Sequence, residues 1–204
     1  MLPWRSTLFT DEKTWWYGKE GQSFVWTDDI DDPKLNNEQV KHPYKVHAWG
    51  GISWYGKTDL YLFEENMDTD LFCKILRTKM LPGAKKIFSG RRKKWYFQQD
   101  NDPKHTSKKA QDLIKSIVPA QIPKSDWPPN SPDLNPIENI WGILSRRLEE
   151  CNYKGKKGFH SAIRKQWRDL ELDTIRNSIK PMKRYLKEVR KNKGGHISKK
   201  YTRR

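Results

Sequence analysis

The chain has 204 residues, room for one well-packed domain and a short appendage. Ten Trp, eight Tyr and seven Phe supply bulky core material, which excludes a wholly disordered chain despite the polar composition. Lys and Arg number 41 against 25 Asp and Glu, a formal net charge of +16 that favours a polyanionic partner; with no long apolar run and no greasy-faced basic helix, that partner is nucleic acid before a membrane.

A first strand is predicted at residues 7–10, where Thr7-Leu8-Phe9-Thr10 runs into Asp11-Glu12. Two more are predicted at 23–26 and at 46–49, the latter followed by Gly50-Gly51. Residues 28–45 are rich in Asp, Asn and Pro and read as an inserted loop; the cluster Asp28, Asp29, Asp31, Asp32 lacks the glycine and the distal Glu of an EF-hand. Residues 57–63 are a further strand candidate, and 68–81 a helix that Pro82-Gly83 should end.

Residues 94–100 form an apolar strand that breaks off at Asp100. Helical spacing follows over 106–118, then an extended piece at Gln121-Ile122-Pro123. Four prolines stiffen residues 127–136, and a strong helix starts there with Ile137, Trp141, Leu144 and Leu148 on one face. Trp141 should be buried; Trp127 packs or lines a rim. Two more helices are predicted at 158–169 and 173–192. Antiparallel strands followed by helix–strand alternation predict an α/β domain: a mixed sheet with helices on both faces over residues 1–192, C-terminal helices, and a basic flexible tail at 193–204.

Three carboxylates stand out. Asp11 and Asp100 each fall at the predicted carboxyl end of a strand, where open α/β sheets place ligand-binding groups, and Glu138 falls in the first turn of the helix after the proline-rich loop. Hard oxygen donors converging at one sheet edge suit Mg²⁺ or Mn²⁺, and two such ions about 4 Å apart serve phosphoryl transfer. Each residue also has a plain structural explanation. Asp11, Asp100 and Asp102 fit turns. Asn135-Pro136-Ile137-Glu138 fits a capping box, with Asn at the cap, Pro first and Glu third, so the cap accounts for Glu138 as well as catalysis does.

The run Phe97-Gln98-Gln99-Asp100-Asn101-Asp102-Pro103-Lys104-His105-Thr106-Ser107 resembles the second-aspartate motif of the Tc/mariner superfamily of transposases. Trp127-Pro128-Pro129-Asn130-Ser131-Pro132-Asp133-Leu134-Asn135-Pro136-Ile137-Glu138-Asn139-Ile140-Trp141 resembles their third-carboxylate motif nearly letter for letter. Leu8-Phe9-Thr10-Asp11-Glu12 is similar to their first-aspartate strand, and residues 46–56 to the Trp-Gly-Gly segment that follows; the likeness covers roughly residues 7–148.

The resemblance implies a ribonuclease H-like five-stranded sheet. It also implies catalytic and metal-binding roles for Asp11, Asp100 and Glu138, with two Mg²⁺ or Mn²⁺ as cofactors. The implied chemistry is cleavage of DNA at transposon ends and strand transfer into target TA sites, with a homodimer in the full-length protein. Glu12 and Asp102 are expected to support the site, and His105 to serve a helix start or a phosphate contact. Thirty-seven residues separate Asp100 from Glu138, three more than in the commonest members, which implies a divergent subgroup. Members carry amino-terminal helix-turn-helix modules that are expected to be absent here. A non-catalytic DNA-binding descendant and a nuclease acting on RNA–DNA hybrids are the competing readings.

The remaining candidates are DNA contacts. Arg91-Arg92-Lys93-Lys94 reads as a solvated hairpin edge or a phosphate-contacting patch, and weakly as a nuclear import signal. Lys104 and His105 lie in the second motif, and Lys191 and Lys193 belong to the basic stretch from 180 onward. Cys73 and Cys151 lie far apart without metal-ligand spacing, which fits a reducing compartment. The amino terminus lacks a signal-peptide layout, so an intracellular location is expected, nuclear in a eukaryotic host.

Overall fold

The computed structural model describes residues 4–17, 44–90, 94–123, 127 and 131–192. The strand expected at 23–26, residues 28–43 of the expected loop, the run Arg91-Arg92-Lys93, and the tail at 193–204 with Lys193 lie outside them.

Strand β1 (Thr7–Tyr17) is the centre of the sheet. It was expected to stop at Thr10, but it continues through the charged pair Asp11-Glu12 because Thr14, Trp15, Trp16 and Tyr17 are strand formers that keep pairing. Its antiparallel partner β2 (Tyr44–Ser53) holds register from Phe9↔Ile52 to Tyr17↔Tyr44. Tyr44 and Lys45 therefore belong to a strand and not to the expected loop, and Gly50-Gly51 lie inside the strand instead of after it.

On the other side of β1, the parallel strand β5 (Tyr96–Gln98) pairs Thr7↔Tyr96 and Phe9↔Gln98. The extended piece at 120–122 lies alongside β5, with the Phe97 amide donating to the Ala120 carbonyl at 2.8 Å and the Ile122 amide to the Phe97 carbonyl at 2.9 Å.

The strand predicted at 57–63 is split into β3 (Gly56–Lys57) and β4 (Tyr61–Phe63), both antiparallel to β2. Thr58 causes the break. Its amide donates to the Gly51 carbonyl at 2.9 Å, while its hydroxyl accepts from the Gly51 amide at 2.9 Å, so a side chain replaces a backbone rung.

Alternation along β1 sorts the sheet into two faces. Phe9 and Trp15, with Val46, Ala48 and Ile52 of β2, enter a core covered by α5 (Pro136–Glu149), α6 (Gly155–Arg168), α7 (Leu172–Ile179) and α8 (Met182–Lys191). Leu8, Trp49 and Phe97 enter a second core under α1 (Thr69–Ile75), α2 (Leu81–Phe88) and α4 (Lys108–Ile117). The five-stranded mixed sheet with helices on both faces is the architecture expected.

Two helix boundaries differ from expectation for one reason, the missing amide of proline. Pro82 does not stop its helix. A π-turn at Leu76–Met80 widens the coil by one residue, the Leu81 amide reaches back to the Leu76 carbonyl, and Pro82 falls in the first turn of α2, where no amide is needed. Gly83 then allows α2 to press on the sheet, since a Cβ there would lie 2.8 Å from Thr58 Cγ2. Conversely, the helix predicted over 173–192 breaks between α7 and α8 around Pro181.

Ile137, Ile140, Trp141, Leu144 and Leu148 form the buried stripe of α5. Trp141 is fully buried and stacks on Trp167 at 5.4 Å between ring centroids. Both indoles rest directly on β2 at Gly50, where a Cβ would come within 2.8 Å of Trp167 Cη2 and 3.0 Å of Trp141 Cη2. Gly50→Ala is therefore expected to destabilise the fold by about 1–3 kcal/mol through overpacking. Gly142→Ala, on the exposed side of α5 with nothing within 4 Å of the new methyl, is expected to stabilise it by about 0.5–1 kcal/mol. Urea melts of the two variants should move in opposite directions.

Candidate active site

Asp11 sits in the middle of β1, not at its end as expected; what ends beside it is β5. From the pair Phe9↔Gln98, two residues along each chain lead to Asp11 and Asp100, so both stand where the parallel pairing has run out. Asp11 is on the α5 face, opposite Gly50. Because Gly50 has no side chain, Trp141 reaches across it and donates from Nε1 to Asp11 Oδ2 at 3.1 Å.

Glu138 reaches the same place through the loop that precedes α5. The cap explanation for it does not hold. Asn135 stands at the cap position but makes no side-chain cap bond. Instead its side-chain Nδ2 donates to the Thr10 carbonyl at 3.3 Å, and Thr10 Oγ1 donates to the Gln98 carbonyl at 2.7 Å. The start of α5 is thus tied to β1 one residue before Asp11, and β1 to β5 two residues before Asp100.

The resulting electrostatics are strained. Burial, followed by repulsion from Glu138, pushes the Asp11 carboxyl up to about 7, against weaker opposition from the Glu12 amide and Trp141. Burial also raises Glu138, against the charge of Lys13 and a hydrogen bond with Asp11. Two carboxylates held together out of water share a need for a proton or a cation.

Asp100 is treated differently. Burial alone would raise it, but the hydrogen bond and charge of His105 outweigh that and hold it below the ordinary carboxylate range. Its Oδ1 meets His105 Nδ1 at 2.5 Å and accepts from the Asp102 amide at 3.2 Å. Its side chain stays 53% exposed, and Oδ2 makes no hydrogen bond among the described residues.

His105 is the residue whose place the sequence did not disclose. It was expected at a helix start or on a phosphate. It does lie in the short helix α3 (Pro103–Thr106), but its side chain is only 5% exposed and both ring nitrogens are occupied. Nε2 meets Glu12 Oε1 at 2.8 Å, and the ring lies on Phe72 at 4.1 Å between centroids. Burial lowers its proton affinity, yet bonds to Asp100 and Glu12 raise it further, to about 9. Glu12 points to the face opposite Asp11, so the two neighbours serve separate partners.

Lys104 bonds Asp102 at 2.7 Å and Glu12 at 3.2 Å, so its ammonium is committed to carboxylates. Asp102 caps α3 by accepting from the Lys104 amide. Lys191 is exposed at the end of α8, away from this network. Trp127 is buried in the core, while its carbonyl accepts from Asn101 Nδ2 at 3.4 Å; it also lines a cleft of about 370 Å³ beside Asp100, so it packs and borders the site at once.

The donor set fits a divalent metal in kind: Asp11 and Glu138 are adjacent hard oxygen donors with raised proton affinity, and Asp100 Oδ2 makes no hydrogen bond among the described residues. Among the described residues no three His, Cys, Asp or Glu side chains stand close enough to hold one ion together. Asp100 stands apart from the pair, held by His105.

A mixed five-stranded sheet with helices on both faces and a central strand that outruns its parallel neighbour defines an α/β domain of the ribonuclease H-like fold. Residues 7–159 match the DDE superfamily endonuclease family, and the chain belongs to that family. It is 28% identical over 198 residues to the Tc3 transposase of Caenorhabditis elegans, covering 96% of this chain and 58% of that protein. It is 30% identical over 191 residues to the Tc1 transposase of the same organism, covering 91% and 67%. The chain thus spans about three-fifths of the length of the Tc3 protein.

The fold matches the catalytic domain of Mos1 mariner transposase with a TM-score of 0.70 at 13% identity, covering 96% of this chain and 86% of that one. The Mos1 paired-end complex with Mg matches with a TM-score of 0.73 at 16% identity, covering 97% and 58%.

Removing one of two repelling carboxylates should relieve the strain described above. In metal-free buffer Glu138→Gln is expected to raise the stability of the domain by about 1 kcal/mol, read as a higher midpoint in urea. A lower midpoint would mean that Glu138 stabilises the fold as a cap after all.

Proposed function

We propose that this chain is the catalytic domain of a cut-and-paste DNA transposase, with Asp11, Asp100 and Glu138 as the metal-binding carboxylates. The observation that carries the proposal is the forced proximity of Asp11 and Glu138. The fold uses packing and hydrogen bonds to keep two half-buried carboxyl groups together, each with raised proton affinity. Family membership supports the same reading.

Asp11 and Glu138, joined by Asp100 through its free Oδ2, would hold two Mg²⁺ or Mn²⁺. Bound there, the ions supply Lewis-acid activation of an attacking oxygen and charge neutralisation at a leaving one. The chain's own residues position the donors. Trp141 aims Asp11, Asn135 sets the start of α5 and hence Glu138, and His105, charged and locked between Glu12 and Asp100, keeps Asp100 ionised. No Tyr or Ser is assigned a nucleophilic role; attack by water at a transposon end, then by the freed 3′-hydroxyl on target DNA at a TA step, needs no covalent link to protein. Solved Mos1 complexes with transposon-end DNA support DNA as the partner; with it we propose a homodimer in the full-length protein and a nuclear location in a eukaryotic host.

The test is nicking of supercoiled plasmid at low salt. The parent chain is expected to nick in Mn²⁺ and to stop when EDTA is added, and Glu138→Gln is expected to be inactive while still binding DNA. Equal nicking by parent and variant would remove Glu138 from the site. Retained DNA binding with no nicking by either would favour a non-catalytic DNA-binding descendant.

A further inference from the structure

A second cleft lies on the α5 side of the sheet, separate from the one beside Asp100. It has a volume of about 320 Å³ and is formed where α5, α7 and the first turn of α8 meet. Its floor is apolar, with Ile143 and Pro181, and its rim carries the cations Arg146, Lys180 and Arg184. No Asp or Glu lines it among the described residues. Arg146 and Lys180 are exposed and form no ion pair among the described residues; Lys180 bonds only the neutral Asn177 Oδ1, at 2.9 Å. Arg146 and Lys180, two exposed cations facing one concavity with no carboxylate among its described lining, repel each other and favour an anion between them.

The position of the cleft identifies the anion. Asn139, Ile143 and Arg146 lie along one face of α5, at successive turns. Asn139 is the residue after Glu138, and Arg146 stands about 10 Å further along the helix axis. A polyanion whose scissile phosphate sits at Glu138 and which follows α5 brings a neighbouring phosphate to this rim. The split of α7 from α8 at Pro181 creates the site, because a continuous helix would carry Arg184 past α5 instead of opening a turn beside it. The opening turn of α8 adds the positive end of a ten-residue helix.

We propose that this cleft binds a backbone phosphate of the DNA strand that passes Glu138, one or two nucleotides from the reacting phosphate. It thereby fixes the register of the strand on the active site while carrying no base specificity. The inference rests on the catalytic reading given above, but the two can fail separately.

The experiment measures binding of a short blunt DNA duplex to the full chain by fluorescence anisotropy across a series of salt concentrations, without divalent metal. The double variant Arg146→Gln/Lys180→Gln is compared with the parent and with Lys85→Gln, an exposed lysine of α2 on the opposite face. Loss of one phosphate contact should reduce the slope of log K against log salt by about 1 in the double variant. Lys85→Gln should keep the parent slope, and Arg146→Lys alone, which retains the charge, should keep most of it.

A double variant with the parent slope overturns the proposal, and so does failure of the parent to bind duplex. Displacement of the duplex by millimolar inorganic phosphate at constant ionic strength also overturns it, reassigning the cleft to a free phosphate ligand. If instead the slope falls as expected but the parent never nicks plasmid in Mn²⁺, the catalytic reading fails while the phosphate site stands.

Discussion

Everything at this site depends on holding Asp11 and Glu138 side by side, half out of water, against their mutual repulsion. Two carboxylates so placed cost free energy, and the surrounding structure must be rigid enough to prevent their separation. The rigidity comes from hydrophobic packing, which is non-directional but unforgiving of volume changes. Trp141 and Trp167 stack over Gly50, and this flat contact fixes the axis of α5 against the sheet. With the axis fixed, the indole nitrogen of Trp141 has one place to donate, and that place is Asp11.

The polar contacts follow the same logic. Asn135 and Thr10 link α5 to β1 and β1 to β5, each through a buried bond to a backbone carbonyl. These bonds contribute little stability individually, about 1 kcal/mol apiece, but they are directional and set the heights at which the three carboxylates stand. On the other face, His105 gives Asp100 a charged partner and Glu12 a second one. One carboxylate of the three is thereby compensated by a buried cationic partner, while Asp11 and Glu138 form no such ion pair among the described residues. That asymmetry explains why the proton affinity of Asp100 moves down while those of Asp11 and Glu138 move up.

The elements that deviate from simple sequence patterns shape the second core and the basic cleft. The π-turn before Pro82 lets α2 run on over the sheet and seat Gly83 against Thr58, closing the second core. The interruption around Pro181 separates α7 from α8 and opens the basic cleft beside α5. In both cases a proline removes one amide, and the outcome depends on whether the coil can widen behind it or must start again.

The sequence by itself determined a good deal. The apolar stripe of α5, the mixed α/β order and the two long motifs around Asp100 and Glu138 are local patterns, and local patterns survive without knowledge of contacts. It also contained the carboxylates, but it could not choose between Glu138 as a helix cap and Glu138 as a ligand, because both uses need the same residue at the same position. Only the tertiary structure showed the cap unmade: Asn135 turns its side-chain Nδ2 to the Thr10 carbonyl, 125 residues away. The length of β1 was likewise hidden, since Asp11-Glu12 looks like a strand end until β2 supplies partners as far as Tyr44. His105 between Glu12 and Asp100 was out of reach for the same reason. A bond spanning 93 residues of chain leaves no periodicity to read, and it exists only because the sheet brings the end of β5 beside the middle of β1.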